Sequence, residues 1–474
     1  MGEKILNAFT FCIILMMLAC VPTPEEETVL FRGDEDIDQL LRTTPEADAK
    51  PMHEDVLSYL GEQEILETVE DSSDLQVSKM KIEEKSAFGN NGAELVFDTD
   101  VLVPTVDQWA VYRIEPSYWK NEDYVGICTY FAGEHSIYKG AYEPTKEQIA
   151  SYIARANESE TVTEINRGFA DKDFYSVQEI LANYYQDAPV EHAFELIDWS
   201  ELDRNRQSGM QAAFYNESID TYMNFMLNAS RRRMSLFCDE YGIFTESDVR
   251  QGEYLGSKPN RTLRNPFITK EEACKEAENL LTKLGIKDMM LSESETEKAQ
   301  RNHSYLYETA SEGWMLVFRK QSNGIPCIAC KYQEEQQEGE EYILTQAQEK
   351  LSVYIDSEGI WYFEWQFPSK LLEKRTDTVS MLSFAKIMDL IKRRIQIENQ
   401  WYDSENILQS ILVTDIALGY CAIPERNQKG NANTIPVWVI NYEIKLKNLE
   451  APIYHSFAIS ALNGTNVRTN SNAF

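Results

Sequence analysis

The sequence predicts an α+β protein: a mixed amino-terminal domain followed by two tandem modules, each setting a helix on a small antiparallel sheet. Three observations predict it. Alternating apolar patterns of the strand type recur through the first half, and a stretch with no apolar period, 252–267, separates the halves. The second half then runs twice through the same order of helix, strand and strand. A chain of 474 residues exceeds what one ordinary core organises, and 43% hydrophobic with 11% aromatic residues is ample for packed cores.

From Ile5 to Ala19 (ILNAFTFCIILMMLA) the chain is apolar, which suits a signal-peptide core and falls short of the roughly 20 residues that span a bilayer. Small Ala19 precedes Cys20, and polarity returns abruptly with VPTPEEE. Met17-Leu18-Ala19-Cys20 resembles a bacterial lipobox, with Met17 where leucine is usual. That resemblance implies loss of residues 1–19 and acylation of Cys20, which would hold the chain on the outer face of the cell membrane. Several acyl chains anchor durably where one binds only marginally. An uncleaved anchor or a buried helix are the other readings of the same run. Met1-Gly2 carries no myristoylation signal, because Leu6 takes the place of the required Ser or Thr.

Residues 20–60 are acidic and rich in turn formers (PTPEEE, GDEDID) and read as a tether that lifts the folded part off the surface. The amino-terminal α+β domain is expected over 61–262. Within it, Ala93 to Val103 alternates as a strand with Ala93, Leu95, Phe97, Val101 and Val103 on one face, stopped by Pro104. Trp109 to Ile114 (WAVYRI) reads as its neighbour. Thr145 and Gln148 form a capping-box pattern that opens a helix running to about Ala156. Met210 to Phe237 reads as further sheet, although periodicity alone does not exclude helix there.

The first module is expected over 263–372. Thr269 and Glu272 form a second capping box, and Ala273, Ala277, Leu280, Leu281 and Leu284 follow helical spacing. Strands Trp314 to Lys320 and Leu351 to Trp365 come next. The second module, 373–474, repeats the order with a helix Leu382 to Ile395, then strands Pro436 to Leu446 and Phe457 to Val467. Tyr354-Ile355-Asp356-Ser357-Glu358-Gly359 aligns with Ile459-Ser460-Ala461-Leu462-Asn463-Gly464, each a strand running into a turn. This order, with its Tyr-Ile-Asp-x-x-Gly strand end, resembles the PepSY and YycI-like modules of cell-surface regulatory proteins over about 266–470. The resemblance implies a helix packed on a small antiparallel sheet, and a protein partner bound or restrained. More broadly, CVPTPEEETVLFRGD, the strand near Val101 and the Pro-Thr-Lys-Glu before the helix at 145 resemble uncharacterised lipoproteins of gut Firmicutes.

Charge excludes one partner class. Acidic residues number 78 against 45 basic, a formal charge of −33 that repels polyphosphates and argues against nucleic acid. The eight cysteines are too scattered for a disulfide scaffold. Cys327-Ile-Ala-Cys330 has the spacing of a redox or half-zinc site, but it follows Gly-Ile-Pro and precedes a strand pattern, where no helix dipole would stabilise a thiolate. His53, His135, His192, His303 and His455 stand apart, so no metal site is expected, although His192 and Glu195 would share a helical face. Ser383-Phe-Ala-Lys386 has the Ser-x-x-Lys spacing of acyl-enzymes; Ser117-Tyr-Trp-Lys120 repeats it, no Lys-Thr/Ser-Gly partner exists, and Ser383 suits a helix N-cap. The glutamates from Glu334 to Glu341 read as a solvated loop.

Trp361, Phe363, Trp365 and Phe367 lie two apart and share one strand face. Such a face is either sheet buried under a helix or a platform for a sugar ring or an extended peptide. Trp361, Phe363 and Trp365 are therefore the partner-binding residues to examine. No catalytic residue, metal or cofactor is implied. The function expected is a non-enzymatic binding or regulatory lipoprotein of the envelope, membrane-held through Cys20 and engaging an envelope protein or peptide. The alternatives are a glycan or peptidoglycan hydrolase and a solute-binding lipoprotein.

Overall fold

The computed structural model describes residues 50–468 apart from 62–66, 71–75, 90, 159–164, 167–173, 176, 200–209, 217–218, 220, 229–231, 239, 246–266, 293–294, 305–308, 331–342, 345–347, 425–430 and 450–451. Cys20, the tether up to 49, the aperiodic stretch 252–266 and the glutamates 334–341 lie outside the described residues. The described helices are α1 (Met52–Leu60), α2 (Asn121–Ala132), α3 (Lys146–Glu158), α4 (Val177–Asp187), α5 (Lys270–Leu284), α6 (Phe384–Glu398) and α7 (Gln400–Ser404). Most strands belong to two large sheets.

The first sheet joins the two ends of the chain. Ala93–Pro104 pairs antiparallel with Gln76–Phe88 and parallel with Leu408–Pro424, from which Ala432–Leu446, Ile453–Ser460 and Asn466–Arg468 continue as an antiparallel meander. The alternation read in Ala93–Pro104 is real: Ala93, Leu95, Phe97, Val101 and Val103 are buried, with Thr99 among them. On the other face of that hairpin, Lys79–Asp100, Lys81–Asp98 and Lys85–Glu94 pair in solvent, where such pairs contribute about 0–1 kcal/mol each. Its expected neighbour sits elsewhere. Val111–Pro116 pairs with Ser369–Thr376 and with the start of Ala432–Leu446. The place beside Ala93–Pro104 is taken instead by Leu408–Pro424 of the carboxy-terminal meander.

Helices α1 and α6 cover this sheet. Met52–Leu60 lies in the acidic stretch assigned by composition to the tether, yet Met52, Val56 and Leu60 recur at four-residue spacing and form an apolar stripe. Met52 and Val56 are buried in the same core as Phe384, Ile387, Met388, Ile391 and Ile395 of α6. Asp55 locks the two helices together, its carboxylate accepting from the Phe384 backbone N–H at 2.6 Å, a free donor at the start of α6.

The second sheet is antiparallel throughout and runs from Tyr241–Thr245 through Glu297–His303, Thr309–Ser322, Lys350–Asp356, Gly359–Gln366, Arg233–Phe237, Thr221–Asn228 and Met210–Asn216 to the edge strand Ile137–Lys139. Helices α2 and α5 pack on one face of it, contributing Tyr124, Ile127 and Cys128, and Ala273, Ala277, Leu280 and Leu281. The capping box that opens α5 is formed: Thr269 accepts from the Glu272 N–H, and Glu272 accepts from the Thr269 N–H at 3.0 Å. Gly285 in the left-handed region closes it, at φ 69°. Helices α3 and α4 make a small core of their own from Ile149, Tyr152, Ala156, Ile180 and Leu181.

In each half a helix precedes a run of strands: α5 comes before Met289–Leu291, Glu297–His303, Thr309–Ser322, Lys350–Asp356 and Gly359–Gln366 of the second sheet, and α6 before Leu408–Pro424, Ala432–Leu446, Ile453–Ser460 and Asn466–Arg468 of the first. Neither sheet is made from that unit alone. Gln76–Phe88 and Ala93–Pro104 extend the first, and Met210–Asn216, Thr221–Asn228 and Arg233–Phe237 extend the second. The segment 325–330 crosses from the second sheet into the core of the first, where Cys327 bridges Tyr420. Gly419 permits that approach, since a Cβ there would lie 2.7 Å from both the Pro326 carbonyl and the Ile328 side chain.

Candidate functional site

The aromatic strand face proposed for binding is interior. Trp361 is 3% exposed and Phe363 0%, because α2 and α5 cover that side of the sheet. The Phe363 ring meets Phe131 of α2 at 5.5 Å, and Trp365, half-buried, donates its Nε1–H to Glu349 at 2.9 Å. Trp361 donates to Asp356 at 3.1 Å and lies 3.5 Å under the Arg301 guanidinium. Phe367 leaves the strand at φ 50°, its N–H donating to the Arg232 carbonyl.

The Tyr-Ile-Asp-x-x-Gly motif is explained by the same contacts. Asp356, fully buried, accepts from the Glu358 N–H at 2.8 Å across the turn and pairs with Arg301, itself only 2% exposed, at 2.8 Å. Every contact fastens the turn between Lys350–Asp356 and Gly359–Gln366. In the second copy Ala461 stands in the aspartate's place, and Asn463 holds the turn instead by accepting from the Thr465 N–H.

The cysteine and serine motifs serve packing and capping. Cys327, Cys330 and Cys421 are buried and unbridged, and burial pushes the Cys327 thiol up to about 12, far from a reactive thiolate. Burial does the same to Cys128. Cys274 is the more accessible of the described thiols. In the native protein iodoacetamide is accordingly expected to label Cys274 first, with Cys128, Cys327, Cys330 and Cys421 reacting after denaturation. Native labelling of Cys327 at a comparable rate, read by peptide mass spectrometry, would contradict this. Ser383 caps α6, accepting from the Lys386 N–H at 3.4 Å.

A different group of aromatic residues reaches solvent. In the pairing of Met210–Asn216 with Thr221–Asn228, Phe214 lies opposite Met223 and Tyr215 opposite Tyr222. Ala212, Phe214, Met223 and Phe225 fill the helix-covered core, so alternation sends Tyr215, Tyr222 and Asn224 to the other face. Tyr138, opposite Ala213 on the edge strand, joins them. The segment 192–197 folds along this edge. Lys139 N–H donates to the Glu195 carbonyl and Ile197 N–H to the Ile137 carbonyl, which brings His192 and Phe194 over the tyrosines.

The rings form a continuous stack. Tyr142 lies on Tyr222 with centroids 4.3 Å apart and planes 7° off parallel. His192 follows on Tyr142 at 4.7 Å, Phe194 on His192 at 4.8 Å, and Tyr138 on Phe194 at 4.5 Å. Phe194 stays 39% exposed and neighbouring Leu196 64%. Beside the stack opens a recess of about 430 Å³, lined by Glu134, His135, Ser136, Tyr138, Tyr215 and Tyr222.

Buried polar contacts hold this arrangement from below. Asn224, 2% exposed, accepts from the Tyr142 N–H at 2.6 Å and donates to the Tyr142 carbonyl at 3.2 Å. Gln148 does two jobs, accepting from the Thr145 N–H as the capping box of α3 and hydrogen-bonding the Tyr142 hydroxyl. Burial raises Tyr142 to about 12, raises Tyr222 and lowers His192, so these rings remain neutral around neutral pH. His192 and Glu195 lie outside any helix and form no metal pair; among the described residues no group of His, Cys, Asp or Glu is arranged to hold a metal ion.

Sequence reasoning missed this site although a signal was present. Met210 to Phe237 was read as sheet, but without a pairing partner its two apolar faces are equivalent, and nothing local ties His192 or Phe194 to Tyr222. No family model matches the chain. No curated protein matches it. In fold the chain is similar to an uncharacterized protein of Eubacterium rectale, with a TM-score of 0.44 and 12% identity over 89% of this chain and 100% of that one.

Proposed function

We propose that the chain is a non-enzymatic binding protein of the cell envelope, held by lipid on Cys20 at the outer face of the membrane, with the aromatic recess as its ligand-binding face. The recess carries this reading: a row of stacked rings is kept partly in solvent although burial would stabilise it, which is the usual mark of a binding surface. Support for the anchor comes from Met17-Leu18-Ala19-Cys20 and the acidic stretch after it. Among the described residues no helix is long and apolar enough to cross a membrane. The two helix-then-meander units support a likeness to the PepSY and YycI-like modules of surface regulators, and the amino-terminal sequence a likeness to lipoproteins of gut Firmicutes.

A hydrolase has less support. The buried carboxylates are already tied: Glu295 to Arg319 at 2.6 Å, Glu364 to Arg233, and Glu349 to the Ser369 N–H and hydroxyl at 2.9 Å. The cavity beside Glu349 measures about 10 Å³, the room of roughly one water, and admits no glycan.

Expression of the full chain in a Gram-positive host tests the anchor. The mature species should begin at Cys20, carry added acyl mass and sediment with membranes, whereas Cys20→Ala should shed protein into the medium. An unprocessed, unlipidated chain sinks the anchored reading.

A further inference from the structure

We propose that the strip 184–196, alongside the aromatic recess, docks a basic protein segment with an apolar stripe, in the manner of a cationic amphipathic helix. The inference rests on the binding-protein reading above and adds a contact surface and the chemistry of the partner it fits. Its anchoring side chains, Val190 and Leu196, do not line the recess.

The strip gathers exposed apolar side chains. Among the described residues, five of the fourteen large apolar or aromatic side chains left exposed lie between Tyr184 and Leu196, which makes a patch rather than a scatter. Val190, at 72%, and Leu196, at 64%, are the most exposed of the five. Neither belongs to the ring stack.

Their exposure is built into the backbone. From 189 to 197 the chain runs antiparallel to 137–146 and is fastened to it at both ends. Lys146 N–H donates to the Pro189 carbonyl, Lys139 N–H to the Glu195 carbonyl, and Ile197 N–H to the Ile137 carbonyl. Between these bonds His192 packs on Tyr142. The segment cannot roll Val190 and Leu196 inward without giving up those bonds.

Charge selects the partner. Residues 177–199 contain no Lys or Arg, and Asp187, Glu191 and Glu195 are exposed among the apolar side chains. On the facing segment Lys139 and Lys146 are outnumbered by Glu134, Glu143 and Glu147, and Lys146 already lies over the Tyr185 ring at 5.6 Å. An anionic lipid surface would be repelled by these carboxylates. A second copy, meeting the same patch about a two-fold axis, would bring the acids against one another. A cationic segment meets them with opposite charge while its apolar side chains cover Val190 and Leu196. Length agrees as well: residues 189–197, extended, reach at most about 30 Å, the length of a helix of about 20 residues.

The test uses the mature chain, residues 20–474 with Cys20→Ala, and labelled helical peptides of about 20 residues read by fluorescence anisotropy. One peptide is built of Lys and Leu with an apolar stripe, one of Glu and Leu, and one of Lys and Gln with no stripe. The Lys–Leu peptide should bind, the Lys–Gln peptide about tenfold more weakly, and the Glu–Leu peptide not at all. Val190→Ser with Leu196→Ser should weaken the Lys–Leu peptide about a hundredfold, the loss of two covered aliphatic side chains. Both side chains stand in solvent, so that double variant should keep its unfolding midpoint. Glu191→Gln with Glu195→Gln should flatten the salt dependence of binding. Trp401→Ala, outside the strip at 61% exposure, should change nothing.

No binding of the Lys–Leu peptide, binding indifferent to the Val190, Leu196 pair, or equal binding of the Glu–Leu peptide overturns the inference. So does finding that the pair abolishes self-association or binding to phosphatidylglycerol vesicles, since a second copy or a lipid surface would then be the occupant. Ser136→Trp, which fills the recess, separates the two readings. If it abolishes peptide binding while the pair does not, the recess stands as the binding face and the strip falls. If the peptide binds and neither variant alters it, both fall.

Discussion

Arg301→Met is expected to cost about 3–5 kcal/mol of stability, the usual range for stripping one partner from a buried ion pair. The guanidinium is 2% exposed and the Asp356 carboxylate fully buried, so water cannot replace the lost partner. The contact is also more than a pair. Arg301 reaches Glu358 with another nitrogen, and its guanidinium lies 3.5 Å from the Trp361 ring and 4.8 Å from that of Tyr241. Methionine keeps much of the volume and removes the charge and the donors, which isolates the electrostatic part. Asp356→Asn should cost less, because a side-chain oxygen remains to accept from Glu358 N–H and Trp361 Nε1–H, the bonds that hold the turn. The measurement is the denaturant midpoint followed by tryptophan emission. A loss below about 1 kcal/mol for Arg301→Met would show that the pair contributes little beyond its own desolvation cost.

Acid is expected to weaken the fold well above the pH at which carboxylates protonate. Burial, with a smaller contribution from Arg155, lowers His303 to about 3, and burial lowers His455 to about 4. In the unfolded chain both titrate near 6.5. The unfolded state therefore binds protons first, and stability present above pH 6.5 is lost as pH falls from there toward the folded values. Two such groups, at about 1.4 kcal/mol per pH unit each, amount to a loss on the order of 3–5 kcal/mol by pH 4.5. Below that, Glu295 adds to it: burial alone would raise its carboxyl, but Arg319 holds it down to about 2, so its stabilisation disappears between about 4.5 and 2. Glu349 and Glu276, raised by burial, act in the opposite direction. Denaturant midpoints at pH 7, 5.5 and 4.5 decide the matter, and a double substitution His303→Phe, His455→Phe should flatten the slope. A midpoint unchanged between pH 7 and 4.5 would remove the histidines from the account.

The Arg301 network and His303 are not remote from the recess: His303 meets the Tyr152 ring of α3 at 4.8 Å, and a Cβ at Gly359 would lie 3.9 Å from Ile219, in the turn between Met210–Asn216 and Thr221–Asn228. Stability and binding are therefore separated by measuring both on each variant. A variant that loses binding with an unchanged midpoint acts through the recess or the strip beside it. One that loses both acts through the fold.

The sequence by itself determined what depends on residues within a few positions of each other. The capping boxes at Thr145 with Gln148 and Thr269 with Glu272, the N-cap Ser383 and the alternation of Ala93–Pro104 are all set by residues close in the chain. Period-two alternation says that a strand has two faces but not which face another element will cover. Hence the face of Trp361 and Phe363 could be read as core or platform until α2 and α5 were seen on it, while the facing tyrosines of the second sheet passed unread. Only the tertiary structure decided that Ala93–Pro104 lies parallel to Leu408–Pro424, that Val111–Pro116 pairs with Ser369–Thr376, and that His192 and Phe194 settle on Tyr142 and Tyr222. Those choices join residues far apart in the chain, where loop closure costs little more for one partner than for another and burial selects the arrangement.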